Sequence, residues 1–357
     1  ADTGTPTITG PLLYPDTAFH STLTPGVAAA WRSCSGATGQ ADVFMKVGAS
    51  STVSTRTLHC FADPDQTDLG AHTDLSDALA FFRAGDADGD TPFDRETEAA
   101  KSGVSAAWPL DGDPSPLQVE IDAVDPRFAI VHYGTNDMGL GSSYDSAMRG
   151  FYRNMTGLLD ALEDERILPI LTGISPRGDS TAADAWVETV NAIIRGLAQG
   201  RQLPFIDLHR ATLQLDDHGL SSDGIHLNGY SDGACILTEV GLEHGYNVRN
   251  LIVLQALSRV YEAVVLEEDG GEDAAVLSGN GDIHAPLSIP GLPFTDSRST
   301  ADSPYSRIDE YTGCDYDADE SGPEWTYTLT LDAATALRAM VLDGSEVDVD
   351  LHILSGE

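Results

Sequence analysis

The chain has 357 residues, enough for one large domain and a small one, and its apolar fraction of 41% is ordinary for a globular protein. Its charge is not ordinary: 57 Asp and Glu stand against 19 Lys and Arg, a formal net charge of −38. A field of that sign repels nucleic acid and anionic headgroups, so neither is expected as a partner, and no apolar run approaches the roughly 18 residues of a membrane span.

Residues 1–40 are rich in Gly, Pro, Ser and Thr and read as an extended arm. The polar opening reads as a mature N-terminus after export or as an arbitrary boundary. The main domain is expected over 41–266. Val43 to Val47 is an apolar run closed by Gly48 and reads as a buried strand. Ser76 to Arg83 reads as a helix. Phe128 to Val131 is a second strand, preceded by Pro126 and closed by Gly134. From Ser143 to Arg166 the apolar residues Phe151, Met155, Leu158, Leu159 and Leu162 recur at helical spacing. Ile167 to Leu171 is a third strand, Ala182 to Ala198 a helix, Pro204 to Leu208 a fourth strand, and Val248 to Val265 a last helix. Strands alternating with helices predict a three-layer α/β/α sandwich around a mainly parallel sheet.

The texture changes near Glu267. Residues 267–300 are rich in Gly, Asp, Pro and Ser and read as a linker. Over 301–357, Trp325 to Leu331 and Val347 to Leu354 alternate with period two, as half-exposed strands do, which predicts a small β-sandwich-like domain.

None of the four cysteines, Cys34, Cys60, Cys235 and Cys314, forms a CxxC pair, so a cysteine zinc site is not expected. Cys34 and Cys60 flank one short segment and are the favoured disulfide, with free buried thiols as the other reading. A disulfide points to a secreted or periplasmic protein.

Three segments carry the material for a serine nucleophile. Lys46-Val47-Gly48-Ala49-Ser50-Ser51 puts a serine just past a strand end, on the edge where α/β sheets bind ligands. Gly134-Thr135-Asn136-Asp137 follows the second strand and offers the Asn136 amide to a developing oxyanion. In Ser222-Asp223-Gly224-Ile225-His226-Leu227, after the fourth strand, one turn can present Asp223 and His226 to a common point. Each segment alone is also a plain turn; together and in this order they are far more specific. The chain has no G-x-S-x-G elbow and no G-x-G-x-x-G after its first strand, which sets aside an α/β-hydrolase and a dinucleotide site.

These segments resemble the SGNH (GDSL-like) hydrolase superfamily over about residues 40–265: a GDS-like serine turn, a glycine, a GxND turn and a late DxxH. The resemblance implies a serine esterase, with Ser50 as nucleophile, His226 as base and Asp223 as its orienting partner. It implies an oxyanion hole from the N–H groups of Ser50 and of a glycine, with the Asn136 amide. Gly103 is the candidate glycine, with Gly85, Gly89 and Gly112 competing. No cofactor is required, and the substrate is a small-molecule or polysaccharide ester. The family's usual Asp is Ala49 here. That departure invites a second reading, a catalytically weak or inactive relative that binds carbohydrate or a cell surface. Acyl transfer to a sugar is a third. The stretch from Gly322 to Leu354 is similar to bacterial pre-peptidase-type β-sandwich modules, which would leave Cys314 without a partner in this chain.

Other residues draw two readings each. Asp86, Asp88 and Asp90, with Asp94 and Glu96, alternate oxygen ligands as a structural calcium site would, although Thr91 and Thr97 depart from the EF-hand pattern; the other reading is a solvated acidic loop. Arg177 is either a substrate contact or half of an ion pair. His132 and Tyr133 read as packing or pocket wall, His59, His72, His209 and His218 as structural, and Asp207 as a cap for the turn that follows it.

Overall fold

A computed structural model describes residues 12–15, 17–36, 38–308, 321–344 and 347–354. Its contacts divide the chain into two compact units: residues 1–276 with 293–298, and residues 277–292 with 299–357. The break therefore falls later than 266, and part of the expected linker belongs to each unit.

In the first unit, α1 spans Pro25–Cys34 and β1 spans Gln40–Gly48. The expected extended arm thus contains a helix. Thr24 caps it through Val27 N–H, Pro25 opens it, and Val27, Ala28 and Trp31 are buried. There follow α2 (Ser50–Val53), α3 (Ser76–Arg83), α4 (Pro116–Val124), β2 (Pro126–His132), α5 (Tyr144–Asp164), β3 (Leu168–Thr172), α6 (Thr181–Arg201), β4 (Phe205–Ile206), α7 (Leu208–Leu213) and α8 (Gly245–Val260). The four strands are all parallel, in the order β1-β2-β3-β4. Helices α5 and α6 pack together and against β3, while α3 packs on β1 and α8, and α8 on β4. This is the three-layer α/β/α arrangement that the alternation of elements predicts.

The predicted faces hold. Phe151, Met155, Leu158, Leu159 and Leu162 of α5 are buried, and burying each such side chain stabilises by about 1.5–3 kcal/mol. On the α3 side, Phe44, Phe82, Phe93 and Phe128 meet edge to face, with ring centroids 5.1–5.9 Å apart. Strand β4 is shorter than expected because Asp207 caps α7 by accepting from Arg210 N–H; its carboxylate also pairs with Arg195 at 2.6 Å, both side chains buried.

One connection decides where a ligand can sit. After β1 the chain does not go straight to β2. It first runs along the outer side of β1, where Gly48 N–H donates to Ala99 O at 3.3 Å and Lys101 N–H donates to Gly48 O at 3.1 Å. Strand β1 is thus flanked by residues 99–101 on one side and β2 on the other, which makes its C-terminal end a switch point and opens a crevice there.

The disulfide joins Cys60 to Cys235, with Cα atoms 5.7 Å apart, and not Cys34 to Cys60. Cys34 ends α1, where the neighbouring Gly36 N–H donates to Arg166 O, whereas Cys60 lies in the segment after α2, where Thr67 Oγ1 donates to its carbonyl, so the two are held in different parts of the unit. Cys34 is a free thiol whose pKa burial pushes up to about 11. Cys314 lies outside the described residues.

The second unit contains two short parallel strands, β5 (Leu287–Ser288) and β6 (Tyr327–Thr328). The Trp325 indole donates to Ser299 O at 2.9 Å and Arg307 pairs with Asp282 at 3.1 Å. Among the described residues the stretch from Val347 to Leu354 forms no strand, so the expected β-sandwich is not present in them.

Candidate active site

Gly48 ends β1 in a space that admits no side chain: a Cβ there would lie 2.1 Å from Thr52 Oγ1 and 2.8 Å from His132 O. The chain can therefore turn at once into α2, and Ser50 becomes its first residue. A first residue has no intrahelical partner for its N–H. Behind the turn, Ser51 O accepts from Thr57 Oγ1 at 2.5 Å and from the guanidinium of Arg249 at 2.8 Å. Arg249, on α8, is buried without a carboxylate partner among the described residues, and that burial lowers its pKa to about 10.

His226 and Asp223 lie in the loop between α7 and α8. Ser50 Oγ is 2.8 Å from His226 Nε2, and His226 Nδ1 is 2.7 Å from Asp223 Oδ2. The carboxylate fixes the ring proton on Nδ1 and leaves the Nε2 lone pair facing the serine hydroxyl. Asp223 Oδ1 accepts from Ser221 Oγ and from the N–H groups of Ile225 and His226 at 2.8–2.9 Å. The imidazole bond first, then those N–H bonds, hold the Asp223 carboxyl well below the usual carboxylate range. The loop is tied down by Gly178 N–H donating to Gly224 O and by Ser221 N–H donating to His226 O, both at 2.7 Å.

Asn136 lines the same small cleft as Ala49, Ser50, His132, Tyr133 and Ile225. One hydrogen of its amide goes to Val104 O at 2.9 Å; the amide carries a second. Gly103, at φ +79°, sits two residues beyond the bond that joins Lys101 to Gly48, and among the described residues no hydrogen bond engages its N–H. Gly103 is not among the residues that line the cleft. Its rival Gly85 packs against Asp42 O, near the start of β1 and away from the serine.

Two residues that the sequence reading passed over hold this arrangement. Asp137 is buried; its oxygens accept from Ala106 N–H at 3.0 Å and Gly134 N–H at 3.1 Å. It thereby pins residues 104–106 to the Asn136 turn. Burial pushes its carboxyl up to about 6, against those two bonds. Arg249 is the other. Its sequence signal was a charged residue among apolar ones on the inner side of α8.

The remaining candidates sort simply. Arg177 makes a two-pronged ion pair with Asp179 at 2.6 and 2.7 Å and reaches Thr135 O at 3.4 Å. His132 is buried in the cleft wall, and desolvation drives its pKa well down. In the acidic loop Asp86 accepts from Gly89 N–H, Asp94 from Thr91, and Asp88 pairs with Arg95. Among the described residues no group of three or more His, Cys, Asp or Glu is gathered for a metal. None of the described helices is long and apolar enough to cross a membrane.

Residues 84–230 match the model of the GDSL-like Lipase/Acylhydrolase family. The matched stretch contains Asn136, Asp223 and His226 and begins after Ser50. No curated protein matches the chain. Among solved structures, a GDSL-like lipase from Bacteroides thetaiotaomicron is similar over 61% of this chain and 88% of its own, at 15% identity and a TM-score of 0.39. A catalytic mutant of an acetylxylan esterase from Geobacillus stearothermophilus is similar over 61% and 95%, at 12% identity and a TM-score of 0.39. For a carbohydrate esterase family 3 protein from Talaromyces cellulolyticus the figures are 60%, 98%, 20% and 0.39.

Proposed function

We propose that this protein is a serine esterase that cleaves carboxylic esters of short acyl groups through an acyl-enzyme on Ser50. The observation that carries the reading is the unbroken line from Ser50 Oγ to His226 Nε2 at 2.8 Å and from His226 Nδ1 to Asp223 at 2.7 Å.

In this reading His226 takes the Ser50 proton as Oγ attacks the ester carbonyl carbon. The oxyanion faces the Ser50 N–H and the second hydrogen of the Asn136 amide, the donors on residues that line the cleft. Asp223 stabilises the imidazolium, which returns its proton to the leaving alcohol. A water then gives a proton to His226 and attacks the acyl carbon, and the acid leaves as Ser50 recovers its hydrogen. No step calls on a metal or cofactor. Ala49 does not disturb this scheme, since the Ser50–His226 bond forms without the family's usual Asp.

The cleft around Ser50 encloses only about 20 Å³, roughly room for one water-sized group, which favours acetyl over longer acyl chains. The Cys60–Cys235 disulfide supports an exported protein.

The test is hydrolysis of p-nitrophenyl acetate, butyrate and octanoate. We expect Ser50→Ala and His226→Ala to lower kcat by about 10³-fold or more, with Asp223→Asn between them and wild type. From acetate to octanoate kcat/KM should fall at least about tenfold, because the longer chain adds more atoms than the cleft encloses. Equal rates in wild type and the Ser50 and His226 variants would remove the mechanism, and a preference for octanoate would remove the short-acyl limit.

A further inference from the structure

A second and wider cavity, of about 380 Å³, opens on the chain segment that also carries Gly103; Glu98, Lys101, Trp108, Asp111, Pro114 and Pro116 line it. That volume is in the range of a ligand pocket. The segment is tied to the candidate active site at three points. Lys101 N–H donates to Gly48 O, Val104 O accepts from Asn136, and Ala106 N–H donates to Asp137. The two openings thus share one stretch of backbone.

The chemistry of the lining is specific. Trp108 is half-buried, with the Lys101 ammonium 5.7 Å from its ring centre. Its indole N–H and the carboxylates of Glu98 and Asp111 make no hydrogen bond or ion pair with other described residues. Pro114 and Pro116 add stiff apolar wall. The Trp108 ring, with the flexible Lys101 side chain over it and two carboxylates lining the same cavity, offers an aromatic surface and polar groups to a ring with an apolar C–H face and hydroxyls around its rim. An acyl chain would leave those polar groups unmatched. An anionic ligand would meet Glu98, Asp111 and a chain of net charge −38.

We propose that this cavity is a subsite for a neutral sugar ring. Taken together with the esterase reading, on which this second half rests, the alcohol side of the substrate is a carbohydrate. The small cleft then takes the acyl group and the wide cavity takes the ring that bears or neighbours it.

The experiment has a binding arm and a turnover arm. In the first, the Ser50→Ala protein is titrated by calorimetry with unmodified hexasaccharides of β-linked xylose, glucose and N-acetylglucosamine, and with oligogalacturonate. We expect at least one neutral sugar to bind with a millimolar or lower Kd. Adding Trp108→Ala should weaken it at least tenfold, and Trp108→Phe, which keeps an aromatic face, less than threefold. No binding by any neutral sugar, binding indifferent to Trp108, or a preference for oligogalacturonate overturns the subsite. In the second arm, kcat/KM for the acetylated form of the sugar is divided by that for p-nitrophenyl acetate. Trp108→Ala should lower this ratio at least tenfold; an unchanged ratio overturns the carbohydrate-ester proposal. A wild type that cleaves neither ester, while Ser50→Ala still binds sugar through Trp108, would strike the esterase reading and leave the subsite standing.

Discussion

Asp137 shows how much of a site can rest on a residue that touches no substrate. Its two oxygens satisfy two backbone donors, one in the Asn136 turn and one in the segment beyond Gly103. Asp137→Asn turns one acceptor into a donor and leaves a buried N–H facing it. We expect a loss of about 1–3 kcal/mol, read as a lower Tm, and a drop in kcat as the Asn136 turn loosens. An unchanged Tm would mean the turn is held by other contacts. At this scale the sequence pointed to Ser50, Asn136, Asp223 and His226 as candidates, because each sits in a short motif after a strand, and the structure brings Ser50, His226 and Asp223 within hydrogen-bond reach. Asp137 was visible as part of the same tetrapeptide, but its role depended on Ala106, far along the chain. Arg249 had no motif at all.

Among the elements, β1 carries the clearest physical conflict. Lys46 is buried in it, its ammonium donating to Phe93 O at 2.7 Å. Burial lowers its pKa from 10.5 to about 8. Between pH 8 and 10.5 the unfolded chain therefore binds more protons at this site than the folded one, so stability rises with pH across that window and the penalty is complete below it. The whole effect is about 3 kcal/mol at about 1.4 kcal/mol per pH unit. In thermal melts from pH 7 to 10.5, Tm of wild type should rise relative to that of Lys46→Met, which has nothing to titrate; parallel curves would refute the assignment. Strands β1, β2 and β3 were legible because an apolar run closed by a glycine or turn is a strong signal. Helix α1 was not, since flanking Thr, Pro, Ser and Gly masked its alanines. Helix α4 was missed because its buried Glu120 breaks the apolar stripe. The pairing of residues 99–101 beside β1 is too short to leave a pattern.

For the molecule as a whole, charge dominates. A formal net charge of −38 makes the folded state repel itself. Raising salt from 0.1 to 1 M shortens the screening length from about 10 to about 3 Å. We expect Tm to rise by about 5 °C or more over that range in sodium chloride, followed by scanning calorimetry; a flat response would mean that the acidic residues lie too far apart to repel. The alternation of strands and helices disclosed the main architecture, since period and composition are local. The boundary between the two compact units was harder to read, because residues 277–292 resemble a linker in composition but contribute β5.

The Cys60–Cys235 bond has a consequence for turnover. Cys60 follows the serine turn within the same loop, and Cys235 follows the imidazole loop in the same way, so the buried bridge ties together the two segments that carry Ser50 and His226. The parallel strands do not need it in order to stay paired. A reductant should therefore be felt first as catalysis growing slack and only afterwards as a melted core. Rate and circular dichroism followed side by side in dithiothreitol would show whether the bridge opens before the body comes apart, and simultaneous loss of both would mean that it guards the whole fold.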